Sequence, residues 1–159
     1  MKAITVRQPW AWAIVHGGKR IENRRNWRYR YTGPIAIHAG RGWSKNGEHD
    51  PRVLEAWARV TPDPLYRNSL HFACGAIVAV AELVETHWSS ACVRTATLSH
   101  LHPDGPYKCS PWADGGHGGC AHLVLADVRP LPEPIPARGQ LGLWKPEPHV
   151  LDALAAVDR

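Results

Sequence analysis

The sequence lacks the features that direct a chain into or across a membrane. No stretch approaches the roughly 20 consecutive apolar residues that span a bilayer, so no membrane partner is expected. The first residues contain only a short apolar run, broken by Arg7, Gln8 and Pro9, and we expect no signal peptide. The four cysteines are then expected as reduced thiols, and the predicted location is the cytoplasm.

Several catalytic signatures are absent as well. A G-x-S-x-G elbow, which would present a nucleophilic serine, does not occur, and neither do the phosphate-loop and dinucleotide-binding fingerprints. A Ser/His/Asp arrangement therefore has no support in the sequence. Internal repeats and linkers are also lacking, so the 159 residues are predicted to form a single domain, residues 1–159.

The composition is that of a folded chain with short elements. The chain is 44% hydrophobic and has eight tryptophans, which excludes intrinsic disorder because enough apolar surface is present for a core. It also has 14 glycines and 14 prolines, so we expect many loops between short helices and strands.

Predicted strands and helices follow one another without the regular alternation of a doubly wound fold. Strands are predicted at 3–6, 19–24, 34–40, 75–85 and 121–131. Helices are predicted from Pro9 to Gly17, at 52–60 and at 150–157, and the proline-rich residues 131–139 are predicted to be extended. Residues 86–120 permit no assignment. The fold class is predicted as α+β, a small mixed β-barrel surrounded by short helices.

One segment carries the whole charge imbalance of the chain. There are 19 Lys plus Arg against 14 Asp plus Glu, a formal charge of +5. Residues 19–30, KRIENRRNWRYR, hold six cations and one anion, so basic and acidic residues balance in the remainder. This concentration favours an anionic partner, with nucleic acid as the first candidate, over a solvated arm.

The second half of this basic segment interleaves cations with aromatic rings. Arg25, Arg28 and Arg30 alternate with Trp27 and Tyr29. Binding of single-stranded nucleic acid uses this mixture, since cations contact phosphates and each base stacked on an aromatic ring contributes about 1–3 kcal/mol. We predict that the segment gives salt-dependent affinity for RNA or another single-stranded nucleic acid.

The first half of the basic segment carries a family signature. Residues 17–24, GGKRIENR, fit the pattern G-x-K-x-x-E-x-R, which resembles the signature of the ASCH domain, a family similar to PUA domains. The blocks ITVRQPWAWAIV, GPIAIHAG and HLVLADVRPLPEPIPARGQLGLW look like those of bacterial members, and the resemblance covers roughly residues 2–145. It implies a PUA-like β-barrel with a cleft beside it.

The resemblance implies an RNA-binding domain whose cleft recognises a base or nucleotide, including a modified nucleoside. An enzyme acting on RNA or nucleosides is the alternative, because the wider family includes a reported metal-independent ribonuclease activity and N4-acetylcytidine amidohydrolases. The chain departs from those amidohydrolases at Glu22, where they have a threonine, although their catalytic lysine is retained as Lys19. If the protein is an enzyme, the predicted catalytic residues are Lys19, Glu22 and His38.

Two groups of side chains are predicted to line the cleft. Glu22 could satisfy Lys19 or Arg24 and accept a hydrogen bond from a base, or the three could form an ion-pair network that only fixes the strand. The second group is Arg7, Gln8, Pro9 and Trp10. It lies at a predicted strand-to-helix turn, where a helix N-terminus favours anions. The complete set of predicted nucleic-acid-binding residues is Arg7, Gln8, Trp10, Lys19, Glu22, Arg24, Arg25, Arg28 and Arg30.

A group of cysteines and histidines in the second half of the chain leaves two interpretations open. Its members are Cys92, Cys109, His117, Cys120 and His122. Thiolate and imidazole ligands at these separations could close a tetrahedral zinc site. Because neither a C-x-x-C nor an H-x-x-x-H pair occurs, free cysteines and surface histidines are the commoner interpretation. The sequence therefore predicts no metal site and no cofactor, with zinc as the alternative.

Overall fold

The computed structural model describes residues 1–25, 30–60, 72–92, 109–115 and 119–157. Its strands are β1 (Lys2–Gln8), β2 (Ile21–Arg24), β3 (Gly33–Trp43), β4 (Ala76–Trp88), β5 (Ala121–Pro136) and β6 (Leu143–Trp144). Its helices are α1 (Trp10–Val15), α2 (Lys45–Glu48), α3 (Pro51–Val60) and α4 (Pro148–Val157), and a 3-10 turn spans Ser89–Ala91. Within these residues, no helix is both long and apolar enough to cross a bilayer.

The strands form a mixed sheet in the order β2-β5-β4-β3-β1-β6. β1 runs parallel to β3, with Ile4 opposite Ile37, and antiparallel to β6. β2 runs antiparallel to β5, with Glu22 opposite Leu123. Parallel and antiparallel pairs with short helices confirm the predicted α+β class.

The chain forms two compact units. The first unit contains residues 1–19, 34–81 and 127–159, and the second unit contains residues 20–33 and 82–126. This division assigns the predicted site residues to one unit or the other. The prediction of a single domain stays a prediction.

The core of the first unit is made by strand residues and by one face of α4. The buried cluster consists of Ala3, Ala36, Ile77, Val80, Leu131, Trp144, Val150 and Leu154. After α1, Gly18 has a φ of 74°, a left-handed conformation that favours glycine and ends the helix. The Trp12 ring of α1 stacks on Trp57 of α3 with the ring centroids 5.2 Å apart, which fixes the two helices together.

The second unit has its own buried apolar side chains and a loop attached to β2. Ile21, Leu83 and Leu123 are buried, one from each of three strands. Asn23 attaches the segment 109–115, because its amide nitrogen donates to the Trp112 carbonyl at 2.8 Å and its amide oxygen accepts from the Asp114 N–H at 3.1 Å. This attachment holds the backbone of Asp114 close to β2.

The proline-rich residues 131–139 were predicted as an extended connection after a strand that ends at residue 131, but residues 131–136 continue β5, and only residues 137–139 follow it. Four prolines occupy even positions from 130 to 136. Successive N–H groups of a strand point to opposite edges, so prolines with period two place all their missing donors on one edge. Leu131, Glu133 and Ile135 keep their N–H groups for the other edge. The sequence predicts neither α2 nor β6, because elements of four and two residues are too short to show a period.

Candidate functional site

A cleft of about 700 Å³ lies in the first unit. Its volume is within the range of small-molecule sites in proteins. The lining combines polar, charged and glycine residues from β1, β3, β5, the residue before β4 and the chain that follows β5. The residues that line it are Thr5, His38, Gly40, Arg41, Gly75, Pro136, Ala137, Arg138, Gly139, Glu147 and His149.

His38 is the buried polar side chain of this cleft. It lies in β3, only 2% exposed, with Nε2 at 3.0 Å from the Ala137 carbonyl oxygen. A carbonyl only accepts hydrogen bonds, so Nε2 carries the proton and Nδ1 of the neutral ring carries a lone pair. Nδ1 is buried and has no hydrogen-bond partner among the described residues. Burial lowers the pKa of His38, against a smaller raising effect of the bond to Ala137, so the neutral ring is favoured at pH 7.

Packing on two sides fixes the imidazole. The edge of His38 meets Trp144, with ring centroids 5.6 Å apart and planes at 78°, and the Trp144 indole donates to Thr5 Oγ1 at 3.2 Å. On the other side, a Cβ at Gly139 would lie 2.7 Å from His38 Nδ1 and 2.9 Å from Thr5 Oγ1. Only glycine fits at this position without a shift, and its lack of a side chain lets the backbone approach the ring.

Charged groups of both signs lie on the walls of the cleft. Arg41 and Arg138 are exposed and bring two guanidinium groups. Glu147 is exposed as well, with an oxygen 3.5 Å from His149 Nδ1. The cleft therefore offers cations for an anionic group and a carboxylate for an amino group.

The predicted residues at the β1–α1 turn have clear partners within the first unit. The Gln8 amide nitrogen donates to the Ala73 carbonyl, and its oxygen accepts from the Trp12 N–H, both at 3.0 Å. The Trp10 indole donates to Ser44 Oγ at 3.1 Å. Gln8 thus has a structural role in the turn. Arg7 is exposed, and the nucleic-acid roles of these residues stay predictions.

The signature residues are divided between the two units. Lys19, in the first unit, is 2% exposed, and its ammonium nitrogen lies 5.7 Å from the centroid of the Trp10 ring, a cation–π distance. In the second unit, Arg24 Nε lies 3.1 Å from a carboxylate oxygen of Glu22. This ion pair is one part of the alternative interpretation, in which Lys19, Glu22 and Arg24 form a network that only fixes the strand. The base-reading pocket and the catalytic roles of Lys19, Glu22 and His38 stay predictions.

The aromatic half of the basic segment lies partly outside the described residues. Arg25 and Arg30 are described and exposed. Trp27, Arg28 and Tyr29 lie outside the described residues, so their predicted contacts remain sequence predictions.

The second unit brings together a group of thiols and imidazoles. The potential ligand atoms of His87, Cys92, Cys109 and His122 all lie within 4.8 Å of one another. Three of these residues were candidates from the sequence, and His87 was missed. Cys120 is separate, with its thiol donating to the Asp114 carbonyl at 2.9 Å, and His117 lies outside the described residues. Burial, with a further contribution from Cys92, raises the pKa of the Cys109 thiol to about 12.

With the geometry described, comparison with known proteins decides the family. The model of the ASCH domain matches residues 4–100, which is more than half of the chain. The chain belongs to the ASCH domain family. This family is PUA-like and generally associated with RNA. No curated protein matches the sequence of this ASCH protein.

Solved structures support the same fold. ASCH from Zymomonas mobilis is 17% identical with a TM-score of 0.53, covering 98% of this chain and 94% of that chain. Two mutants of that protein are also 17% identical and cover 98% of this chain. One has a TM-score of 0.53 with 96% of its chain covered, and the other has 0.52 with 94%. At this identity the likeness shows the fold alone, and it confirms the PUA-like fold predicted for this ASCH protein.

Sequence reasoning found part of the candidate site in this ASCH protein. It named His38 at the end of a predicted strand but none of the other lining residues, such as Arg41, Arg138 and Gly139. The sequence signal that could have indicated a close approach of the backbone to another group is Gly139, which follows the proline-rich residues. His87 was missed because it lies just beyond the predicted strand 75–85, whereas β4 continues to Trp88.

Proposed function

We propose that this ASCH protein binds single-stranded RNA and holds a base or nucleotide in the cleft around His38. The observation that carries the proposal is the lining of a cleft of about 700 Å³, where the exposed side chains of Arg41, Arg138 and Glu147 surround the buried His38. Such a cleft combines charge-assisted donors for phosphate with an acceptor for an amino group.

The chemistry of the cleft matches the groups of a nucleotide. Arg41 and Arg138 suit phosphate oxygens, because guanidinium groups make paired, charge-assisted hydrogen bonds to phosphate. Glu147 could accept from an exocyclic amino group. These groups would combine affinity for the backbone with a choice of base.

The proposal includes a separate contribution from the basic segment. Exposed Arg25 and Arg30, with Arg28, would contact phosphates in a salt-dependent way. In this proposal, Lys19 and Glu22 also take part in recognising the base, and the protein acts in the cytoplasm. The family's general association with RNA supports the proposal.

Binding of a labelled single-stranded RNA oligonucleotide, followed by fluorescence anisotropy at several salt concentrations, tests the cleft. Arg41→Ala combined with Arg138→Ala should weaken binding at least about tenfold. It should also reduce the slope of log affinity against log salt by about 1.4, because each lost phosphate contact on a single strand contributes about 0.7.

A control with the same loss of charge isolates the cleft. Lys45→Ala combined with Arg59→Ala removes two exposed cations of the first unit that do not line the cleft. This control should retain nearly the binding of the wild-type protein. Equal losses in the two double variants would reject the cleft as the binding site, and no RNA binding by the wild-type protein at low salt would reject the function.

A further inference from the structure

The group of thiols and imidazoles in the second unit has the dimensions of a metal site. The Cys92 sulfur lies 3.4 Å from His87 Nε2 and 3.1 Å from His122 Nδ1, and the Cys109 sulfur lies 3.4 Å from the same His122 nitrogen. A tetrahedral zinc ion with Zn–S of about 2.3 Å and Zn–N of about 2.05 Å holds a sulfur and a nitrogen about 3.6 Å apart. The observed separations are close to that value.

Each imidazole has its ligand nitrogen selected by a bond on the far side of the ring. His87 Nδ1 donates to the Glu85 carboxylate at 2.9 Å, and His122 Nε2 donates to the Asp114 carbonyl at 2.9 Å. Both partners only accept, so each of these nitrogens carries the ring proton. The lone pairs are therefore on His87 Nε2 and His122 Nδ1, the two nitrogens that face the sulfurs. Metal-binding histidines are oriented by outer partners in this way.

The surrounding backbone holds these outer partners in place. Asn23 accepts from the Asp114 N–H at 3.1 Å, which fixes the carbonyl that orients His122. The turn that leads to Cys92 is attached to the start of β5, since the Ser89 N–H donates to the Cys120 carbonyl at 2.8 Å and Ser89 Oγ accepts from the Cys120 N–H at 3.2 Å. The ligands would therefore be organised before a metal arrives.

The donor set selects the metal. Two sulfurs and two imidazole nitrogens at mutual distances below 4.8 Å match tetrahedral zinc. Magnesium and calcium prefer oxygen ligands and do not suit this set. Four protein ligands fill a tetrahedron and leave no open position for water, which is the arrangement of structural zinc sites.

We propose that the second unit contains a structural zinc site with the ligands His87, Cys92, Cys109 and His122. The ion replaces the two thiol protons, which leave to solvent, and the two thiolates balance its charge. It ties four parts of the second unit together: the end of β4, the turn after it, the segment 109–115 and the start of β5. The residues of this site belong to the second unit, whereas the residues that line the cleft belong to the first unit.

Metal analysis of the full chain tests the proposal. The protein is purified with a reductant, supplied with zinc alone and dialysed. Its zinc content is then measured by inductively coupled plasma mass spectrometry. The wild-type protein should retain about one zinc per chain. Cys109→Ser, at an exposed position, should lose most of that zinc, whereas the matched control Cys74→Ser, an exposed cysteine of the first unit, should retain it. Equal zinc in both variants, or no retained zinc in the wild-type protein, would overturn the proposal.

A second variant tests the site without removing a ligand. Glu85→Ala deletes the carboxylate that orients His87 and should weaken zinc affinity by about 10- to 100-fold in competition with a chelating dye. Glu55→Ala, an exposed glutamate of α3, is the control and should leave the affinity unchanged. Unchanged affinity in Glu85→Ala would contradict the assigned geometry.

Cobalt gives an optical measure of the same site. The wild-type protein with cobalt should show the visible absorption of tetrahedral thiolate coordination, and this absorption should be weaker in Cys109→Ser.

Discussion

At the scale of single residues, the site depends on the contact between Gly139 and His38. Because a Cβ at position 139 would lie within 3 Å of His38 Nδ1 and Thr5 Oγ1, Gly139→Ala must displace one of them. We expect a loss of about 1–3 kcal/mol in the free energy of unfolding, as in other overpacked sites, together with weaker RNA binding. Urea denaturation measures the first effect.

Gly115→Ala provides the control for this change. A Cβ at Gly115 meets no atom of the described residues within 4 Å, so the same substitution should change the free energy of unfolding by less than about 0.5 kcal/mol. If Gly139→Ala were as stable as Gly115→Ala, the close packing of His38 against the backbone would be wrong.

The lowered pKa of His38 predicts a dependence of stability on pH. The folded state binds the proton less readily than the unfolded chain, whose histidine has its ordinary pKa of 6.5. Between that value and the lowered pKa the unfolded chain binds more protons, so stability falls as the pH decreases through 6.5. His16, whose pKa burial also lowers, contributes in the same direction.

Thermal unfolding of the wild-type protein and His38→Gln measures this effect. The Tm of the wild-type protein should fall between about pH 7.5 and pH 5.5, and the fall should be smaller in His38→Gln, because glutamine does not titrate but can still donate to Ala137. An equal fall in both proteins would show that His38 does not have a lowered pKa.

At the scale of secondary-structure elements, α2 depends on its cap. Ser44 Oγ accepts from the Gly47 N–H at 3.2 Å and from the Trp10 indole at 3.1 Å, so one hydroxyl joins α2 to α1. Ser44→Ala should reduce the free energy of unfolding by about 0.5–2 kcal/mol, measured in urea. Asn46→Ala, at an exposed position of the same helix, should have almost no effect; a loss there equal to that of Ser44→Ala would argue against the cap.

The predictability of the elements follows their length. β1, β3, β4 and β5 were predicted because short segments dominated by Ile, Val, Ala and Leu are typical of buried strands. β3 and β4 continue beyond the predicted ends, to Trp43 and Trp88, where polar and aromatic residues replace the apolar run. Strand ends are set by pairing with neighbours, which the local sequence does not encode.

At the scale of the whole molecule, we expect the +5 charge to increase RNA affinity because the excess cations lie together in residues 19–30. Replacing Arg25, Arg28 and Arg30 with alanine should weaken RNA binding and reduce the salt slope by up to about 2, because each phosphate contact contributes about 0.7. Lys2, Lys45 and Arg59 replaced together lower the net charge equally and should have a much smaller effect. Equal losses in anisotropy titrations of the two triple variants would mean that net charge alone, without a local basic segment, gives the affinity.

The sequence by itself determined the α+β class, the four long strands, the ASCH signature at residues 17–24 and the location of the excess charge. These properties depend on local patterns: period, composition and spacing within short windows. The tertiary structure alone decided which distant residues meet. Gly139 packs on His38, and His87 joins Cys92, Cys109 and His122, because strand pairing and the loops between strands bring them together. Burial then set the protonation of His38, since desolvation depends on all surrounding atoms and has no signature in the local sequence.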